Sequence, residues 1–154
     1  VDLKSSSNKF YREFCGGTLD PVLSNIEKMY EKIHLELTNL LITDTNDSEE
    51  EMEEVFSWIS EISREIPLHL SRYFPNYKFD KSQTPVATMK RGFKIAQKYL
   101  DFVYLGNINL DQGHDTVCPE CGEVLIERNF YKAHSYLEEG QCPECGRQIY
   151  GKFN

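Results

Sequence analysis

The chain contains little positive charge. Its 154 residues include 17 lysines and arginines against 25 aspartates and glutamates, which gives a formal net charge of −8. Phosphate backbones repel such a chain unless a local cluster of basic residues compensates, and the sequence contains no cluster of this kind. We therefore expect no nucleic-acid partner.

Long apolar runs are also missing. No stretch approaches the roughly 18 apolar residues of a membrane span, and no charged segment followed by an apolar one opens the chain. Four of the five cysteines fall into pairs of the kind that bind metals, which fits a reducing compartment better than a secreted disulfide scaffold. We expect a cytoplasmic protein that does not bind membranes.

Glycine-rich phosphate loops are absent as well, and what remains is an alternation of short strands and amphipathic helices. Neither GxGxxG nor GxxxxGK[ST] follows any predicted strand, so a nucleotide-phosphate site is not expected.

The predicted strands cover 1–4, 34–42, 67–73 and 101–107, and the predicted helices cover 8–17, 20–33, 48–62 and 84–100. This order predicts βαβ units and a parallel sheet, with one domain over 1–110 and a small module over 111–154.

Two helices show clear sequence signals. One apolar face should be formed in the second helix by Val22, Ile26, Met29 and Ile33. Ser48 and Glu51 have the spacing of a capping box at the start of the third helix. The acidic run 49–54 that follows is typical of a solvated first turn, where the helix dipole favours negative charge.

The C-terminal module contains the most specific motif of the chain. The sequence CPECG occurs twice, and it supplies Cys118, Cys121, Cys142 and Cys145. Pairs of cysteines three positions apart, each followed by a glycine that permits a tight turn, predict a zinc ribbon with a structural site closed by four cysteine ligands. Iron in a rubredoxin-like site is the main alternative.

The remaining residues around the motif have simpler interpretations. The intervening "EVLIERNFYKAH" suits a hairpin arm. His114 and His134 are interpreted as surface residues. Cys15, outside the module, is interpreted as a buried structural thiol.

Polar residues lie on or near the carboxyl ends of the predicted strands, where parallel α/β folds place their sites. Asp2 and Lys4 are two residues apart and therefore point to the same face. Inside a barrel they would pair or hold a zwitterionic ligand, whereas at an open edge they would be solvated charges. Further polar positions lie on the second and third strands: Thr38, Asn39, His69, Ser71 and Arg72.

The succession of segments resembles a known family. "VDLK", "FYREFCGG", "DPVLSNIE", "TNLLITDTNDSEEEM", "PLHLSRYFPNYK", "TPVATM", "FVYLGN" and "CPECGEVLIER" are similar to the C-terminal half of radical S-adenosylmethionine enzymes. The most similar group is the AmmeMemoRadiSam-system enzymes, often labelled pyruvate formate-lyase activating enzyme-like. The resemblance implies the C-terminal half of an open (β/α)6 barrel, followed by the zinc-ribbon-like module. It also implies chemistry through a 5′-deoxyadenosyl radical that abstracts hydrogen, and a protein substrate is possible.

The resemblance also implies roles for four residues. Asp2 and Lys4 match the family's Asp-x-Lys, which lines the S-adenosylmethionine site. A histidine that activating enzymes often carry after the sixth strand is absent here, where the chain reads Arg72-Tyr73-Phe74, and His69 and Arg72 are the expected substitutes.

One family motif is missing. No CxxxCxxC occurs in these residues, and this is the motif that binds the [4Fe–4S] cluster to which S-adenosylmethionine attaches. We therefore expect a fragment or split protein that is inactive alone and pairs, through its open strand edge, with an N-terminal half barrel or a second copy. The alternative is a stand-alone zinc-ribbon protein with an interaction or scaffold role and no catalysis.

Overall fold

The computed structural model describes residues 1–129 and 132–153. Two compact units divide the chain, Val1–Asn109 and Leu110–Asn154, whereas the sequence places the boundary between residues 110 and 111. Among the described residues, no helix combines the length and apolar character needed to cross a bilayer.

The first unit alternates helices and strands. Its helices are α1 (Asn8–Phe10), which continues as a π-helical turn over Tyr11–Cys15, α2 (Asp20–Tyr30), α3 (Glu49–Ile62) and α4 (Val86–Tyr99). Its strands are β1 (Leu37–Leu41), β2 (Leu68–Arg72) and β3 (Val103–Gly106). The predicted α/β alternation is confirmed, although several elements are shorter than their predicted ranges.

The three strands form a parallel sheet in the order β1-β2-β3. The predicted first strand reduces to one parallel bridge between Asp2 and Thr38, supported by hydrogen bonds from Leu3 N to Thr38 O and from Thr38 N to Val1 O. Residues 1–4 thus continue the sheet beyond β1. Because neighbours in the sheet follow the chain order, right-handed crossovers place the connecting helices on the same face.

Strand alternation gives the sheet one buried face and one open face. The buried face consists of Leu3, Leu37, Leu41, Leu68, Leu70 and Leu105. Helices α3 and α4 cover it closely: a Cβ atom added to Gly92 would lie 3.0 Å from both Leu41 Cδ1 and Met52 Sδ. The open face consists of half-exposed residues at the intervening positions, Thr38, Leu40, His69, Ser71 and Tyr104.

The predicted apolar face of α2 is only partly buried. Ile26 is buried, whereas Met29 is 38% exposed and Ile33 is 52% exposed. The helix ends at Tyr30 because the backbone turns there, with Lys32 N and Ile33 N both donating to Met29 O. Ile33 therefore lies outside the helix whose period predicted its burial.

The acidic start of α3 is not simply a solvated turn, as the sequence suggested. Ser48 Oγ accepts from Glu51 N at 3.1 Å, which is one half of the predicted capping box. The Glu51 carboxylate, however, accepts hydrogen bonds from Ser5 Oγ and from Ser6 N. These bonds attach the loop that follows residues 1–4 to the start of α3. Glu54 accepts from Ser6 Oγ at 2.8 Å, which adds a second attachment of the same loop.

The second unit contains β4 (Thr116–Val117), β5 (Val124–Asn129) and β6 (Lys132–Ser135) in an antiparallel sheet. Strands β5 and β6 pair from Asn129 with Lys132 to Ile126 with Ser135, so the predicted hairpin arm is present. Residues 130 and 131 of that arm lie outside the described residues.

Cys15 is exposed, so its interpretation as a buried structural thiol is wrong. It ends the π-helical turn immediately before Gly16. A π-helical turn has a different number of residues per turn from an α-helix, so its last residue points in a different direction from the one that α-helical periodicity predicts.

Candidate metal centre and polar sheet face

Two turns of identical construction present the four cysteines. In the first, Cys118 N donates to Glu123 O at 2.8 Å and Gly122 N donates to Cys118 O at 2.9 Å. In the second, Cys142 N donates to Arg147 O at 2.9 Å and Gly146 N donates to Cys142 O at 2.9 Å. Gly122 and Gly146 have φ angles of 82° and 75°, and residues with a side chain rarely adopt such positive values. The repeated CPECG motif thus produces a repeated turn.

The sulfur atoms of these turns converge on one point. Cys118 Sγ lies 3.6 Å from Cys145 Sγ, Cys121 Sγ lies 3.6 Å from Cys142 Sγ, and all four lie within 4.8 Å of one another. Four thiolates around a tetrahedral zinc at about 2.3 Å would be about 3.8 Å apart. The arrangement can therefore hold a metal ion, and the four residues predicted as ligands form the group.

The surroundings make ionisation of the thiols unequal. Burial raises the pKa of Cys118, but backbone N–H groups of Cys121 and Glu120 and the neighbouring sulfurs lower it more, to about 7. At Cys121 the backbone N–H of Glu123 favours the thiolate, yet desolvation and the neighbouring thiols outweigh it and raise the pKa to about 12. A bound cation would remove this mutual repulsion and hold all four sulfurs as thiolates.

The two histidines of the second unit do not belong to the cysteine group. His134 is exposed on β6, and its ring meets the Tyr136 ring edge-on at 4.6 Å. His114 is half-buried, and its carbonyl oxygen accepts from Arg128. His134 is therefore a surface residue as predicted, whereas His114 is partly enclosed.

In the first unit, the open face of the sheet carries a polar row. Asp2 is in register with Thr38, Thr38 with His69, and His69 with Tyr104. Residues in register on parallel strands point to the same face, so the tertiary structure aligns Asp2 and His69 across two strand spacings, about 10 Å.

Asp2 and Lys4 form an ion pair on this face. Lys4 Nζ lies 3.6 Å from Asp2 Oδ1, and the side chains are 31% and 57% exposed for Lys4 and Asp2. The intervening Leu3 is buried on the opposite face, as the two-residue period requires. The pair is accessible from solvent, so either charge can exchange its partner for a ligand group.

His69 belongs to a cluster that sequence reasoning missed. Its Nε2 lies 2.7 Å from Glu36 Oε2, and His34 Nε2 lies 3.0 Å from Glu36 Oε1. Burial alone would raise the pKa of Glu36, but the hydrogen bonds and charges of the two histidines outweigh burial and lower it. The alternation of "HLELT" did place His34, Glu36 and Thr38 on one side, but the pairing of Glu36 with His69 depends on the strand register.

Arg72 lies away from this cluster. Its Nε donates to Thr84 O at 2.6 Å, and its guanidinium carbon lies 4.9 Å from the centre of the Phe74 ring. Strand alternation assigns residue 72 to the face opposite His69. Asn39 likewise turns to the buried side, where its Nδ2 donates to Leu3 O at 2.7 Å. The structure thus brings together Asp2 and Lys4, and separately His69 with Glu36.

Comparisons with known proteins found a relative of this chain by sequence. No protein-family model matches the chain. An uncharacterized protein of Methanocaldococcus jannaschii, MJ0808, is 36% identical over an alignment of 157 residues that covers 97% of this chain and 46% of that protein. This chain therefore spans about half the length of that relative.

A crystal structure of a domain of pyruvate-formate lyase-activating enzyme from Bacteroides vulgatus is similar in three dimensions. Its TM-score is 0.62 at 19% sequence identity, and the match covers 70% of this chain and 65% of that domain. At this identity the likeness concerns the fold. Over most of its length, the chain shares the fold of an activating-enzyme domain.

Proposed function

We propose that this chain is the C-terminal portion of a radical S-adenosylmethionine enzyme of the activating-enzyme type. The observation that carries the proposal is the parallel sheet with an accessible polar face bearing Asp2 and Lys4, in a fold shared with an activating-enzyme domain. In such an enzyme, S-adenosylmethionine bound to a [4Fe–4S] cluster is cleaved to a 5′-deoxyadenosyl radical that abstracts hydrogen from the substrate.

The open face is proposed to line the interior of a partial (β/α) barrel. Its half-exposed polar positions contrast with the buried leucines on the helix side, as expected where a second half completes the enclosure. Within the described residues, no further strand pairs with the outer edge of residues 1–4. An N-terminal half barrel, or a second copy of this chain, would cover that edge.

Asp2 and Lys4 have the charges needed for the amino-acid end of S-adenosylmethionine. The carboxylate of Asp2 would accept from the ligand's ammonium group, and the ammonium of Lys4 would bind the ligand's carboxylate. Their present contact at 3.6 Å neutralises both charges until a zwitterion replaces it. His69, on the same face, is a further candidate, and Arg72 would first have to leave the Thr84 carbonyl.

The cysteine site is proposed to be a structural zinc site. Four protein sulfurs close a tetrahedral coordination sphere and leave no position for substrate; iron is the alternative occupant. The cluster for radical chemistry would have to come from a CxxxCxxC motif, which these 154 residues lack, so we expect the chain alone to be inactive. Thiolate ligands suit a reducing compartment, and we propose the cytoplasm.

The test is to join the chain to its proposed N-terminal half and measure both cluster and cofactor chemistry. Co-expression with the polypeptide encoded upstream of Val1 should give a brown protein that cleaves S-adenosylmethionine under reductant. Asp2→Asn and Lys4→Met should each weaken S-adenosylmethionine binding at least about tenfold, since each removes a charged partner of the zwitterion. Asp111→Asn and Lys94→Met, which change the same residue types at exposed positions, serve as matched controls.

A joined protein that binds neither cluster nor S-adenosylmethionine would contradict the proposal. Equal losses in the control variants would remove the role given to Asp2 and Lys4. A chain that remains monomeric at high concentration would count against an uncovered half barrel.

A second candidate is a zinc-ribbon interaction module without catalysis. It is supported by the compactness of Leu110–Asn154 and by its closed cysteine group, neither of which depends on barrel chemistry. The upstream reading frame discriminates the two: a CxxxCxxC motif there supports the enzyme, and a start codon at this point supports the module.

A further inference from the structure

The proposed radical chemistry assigns no role to His34 or Glu36, and it names His69 only as a further candidate for contact with the cofactor. The cluster of these three residues lies toward the amino ends of β1 and β2, and His69 is level with Asp2 in the register of the sheet. One carboxylate receives two imidazoles there, from His34 Nε2 at 3.0 Å and from His69 Nε2 at 2.7 Å.

The fold holds the three side chains on the same face for separable reasons. His34 and Glu36 are two residues apart in the extended segment that leads into β1. His69 is in register with Thr38 on the neighbouring strand, which makes it the diagonal neighbour of Glu36. The Tyr104 ring stacks on the His69 ring, with centres 5.2 Å apart and planes inclined by 28°, and so restrains the imidazole plane.

The donor atoms have the chemistry of a metal site, although among the described residues only the four cysteines have all their ligand atoms within 4.8 Å of one another. Two imidazole nitrogens and a carboxylate are common ligands for divalent transition metals. The two nitrogen–oxygen distances of 3.0 and 2.7 Å are those of hydrogen bonds, whereas ligand atoms at neighbouring positions around an ion with bonds of about 2.1 Å lie about 3.0–3.4 Å apart. Side-chain exposures of 28%, 48% and 38% for His34, Glu36 and His69 leave the cluster open to an ion and to water ligands.

We propose that His34, Glu36 and His69 form a second metal site, distinct from the cysteine centre, which binds a first-row divalent transition-metal ion and leaves coordination positions open to water. In the ion-free form, each ring donates Nε2–H to the carboxylate. To bind the ion, Nε2 must lose this proton and offer its lone pair. The proton moves to Nδ1 if that atom is unprotonated, and otherwise it is released to solvent.

Binding requires the two imidazole rings to move closer together. The two nitrogens now contact different oxygens of the carboxylate, so they must draw together around one ion. His69 is restrained by its strand and by the stacked Tyr104 ring, so we expect the larger movement at His34, which lies in the irregular segment between α2 and β1. The positive charge of Lys4, on the same face, is already offset by Asp2, so it does not oppose binding of a cation.

The test is a titration of the zinc-loaded chain with nickel chloride. Binding is measured by calorimetry and by the ring ¹⁵N signals of the four histidines. We expect one nickel ion per chain, with shifts confined to His34 and His69 and no release of zinc. Glu36→Gln and His69→Gln each remove a proposed ligand. Each should weaken nickel binding at least about 10–100-fold, which is the usual cost of losing a group that only hydrogen-bonds to a ligand. His134→Gln, the same change at an exposed histidine on β6, should leave binding unchanged.

His34→Gln provides an independent variant because its ring lies outside the sheet, and circular dichroism verifies that each variant is folded. Absence of saturable binding up to about 1 mM nickel, wild-type affinity in the three site variants, or shifts confined to His114 and His134 would each overturn the proposal. The titration contains neither S-adenosylmethionine nor a cluster, so its result bears on this site and not on the proposed function.

Discussion

At the scale of single residues, the open sheet face is defined by which charges find partners. Glu36 holds two histidines, and Asp2 holds Lys4. Leu3, between the last two, is 1% exposed on the other face. A two-residue period visible in the sequence thus separates a core contact from a candidate binding pair.

Glu36 should make stability depend on pH. Its pKa in the folded chain lies below the ordinary value of 4.5, so its carboxylate stabilises the folded state at pH values above 4.5. This contribution is lost as the pH falls through the folded pKa. In urea unfolding, Glu36→Gln should have a lower free energy of unfolding than the wild type at about pH 7, and the two should converge as the pH falls through the folded pKa of Glu36.

The fluorescence of the single tryptophan, Trp58 in α3, reports unfolding of the first unit. Loss of metal from the second unit should not change this fluorescence. Glu27→Gln, at an exposed position of α2, is the matched control. Parallel pH curves for wild type and Glu36→Gln would show that the two histidines do not stabilise the carboxylate.

At the scale of secondary-structure elements, the first segment is attached to the sheet by side chains as well as by its backbone. Besides its single bridge, it receives the Asn39 amide on Leu3 O and the Asn46 amide on Lys4 O. Asn46 also donates to Leu40 O and accepts from Ile42 N at 2.7 Å. One buried amide therefore connects residues 1–4 with the end of β1, and it positions Lys4.

Asn46→Ala should destabilise the first unit by about 3 kcal/mol, because it removes three hydrogen bonds worth about 1 kcal/mol each. The expected readout is a lower urea midpoint of Trp58 fluorescence together with faster amide exchange in residues 3–5. Asn76→Ala, the same change at an exposed residue, should shift the midpoint little. An Asn46→Ala midpoint equal to that of Asn76→Ala would mean that water replaces these bonds without cost.

The elements also show where sequence periodicity fails. Each predicted strand of the sheet has a structured counterpart, because alternating apolar residues report directly on burial. The acidic start of α3 was interpreted as solvated, since a helix terminus explains acidic residues without reference to partners. The partners, Ser5 and Ser6, are more than 40 positions away in the sequence, and their proximity depends on the packed sheet.

At the scale of the whole chain, two compact units carry two kinds of chemistry. The first has an open polar sheet face, and the second has a closed group of four thiols. The fold of the chain is that of an activating-enzyme domain over 70% of its length. The second unit contains short strands and few buried side chains among its described residues, so its stability should rest on the metal.

Metal removal should therefore unfold the second unit and spare the first, because ligation free energy contributes directly to folding of small thiolate sites. After chelation, dispersed amide signals from about residue 116 onward should collapse, while the Trp58 emission stays unchanged. Cys118→Ser should lower the metal content measured by element mass spectrometry, whereas Cys15→Ser should not, since Cys15 is exposed outside the cysteine group. Unchanged spectra after complete metal loss would refute a structural role.

The sequence by itself determined the features that depend on local chemistry. Cysteine spacing with a following glycine defined the two turns, and alternation predicted the parallel α/β arrangement and the common side of Asp2 and Lys4. Only the tertiary structure decided which strand positions are in register, and therefore that His69 meets Glu36. It also decided that Thr84, in the loop before α4, meets Arg72. The physical reason is that period and spacing act along the chain, whereas side-chain partners across strands depend on a register that core packing selects.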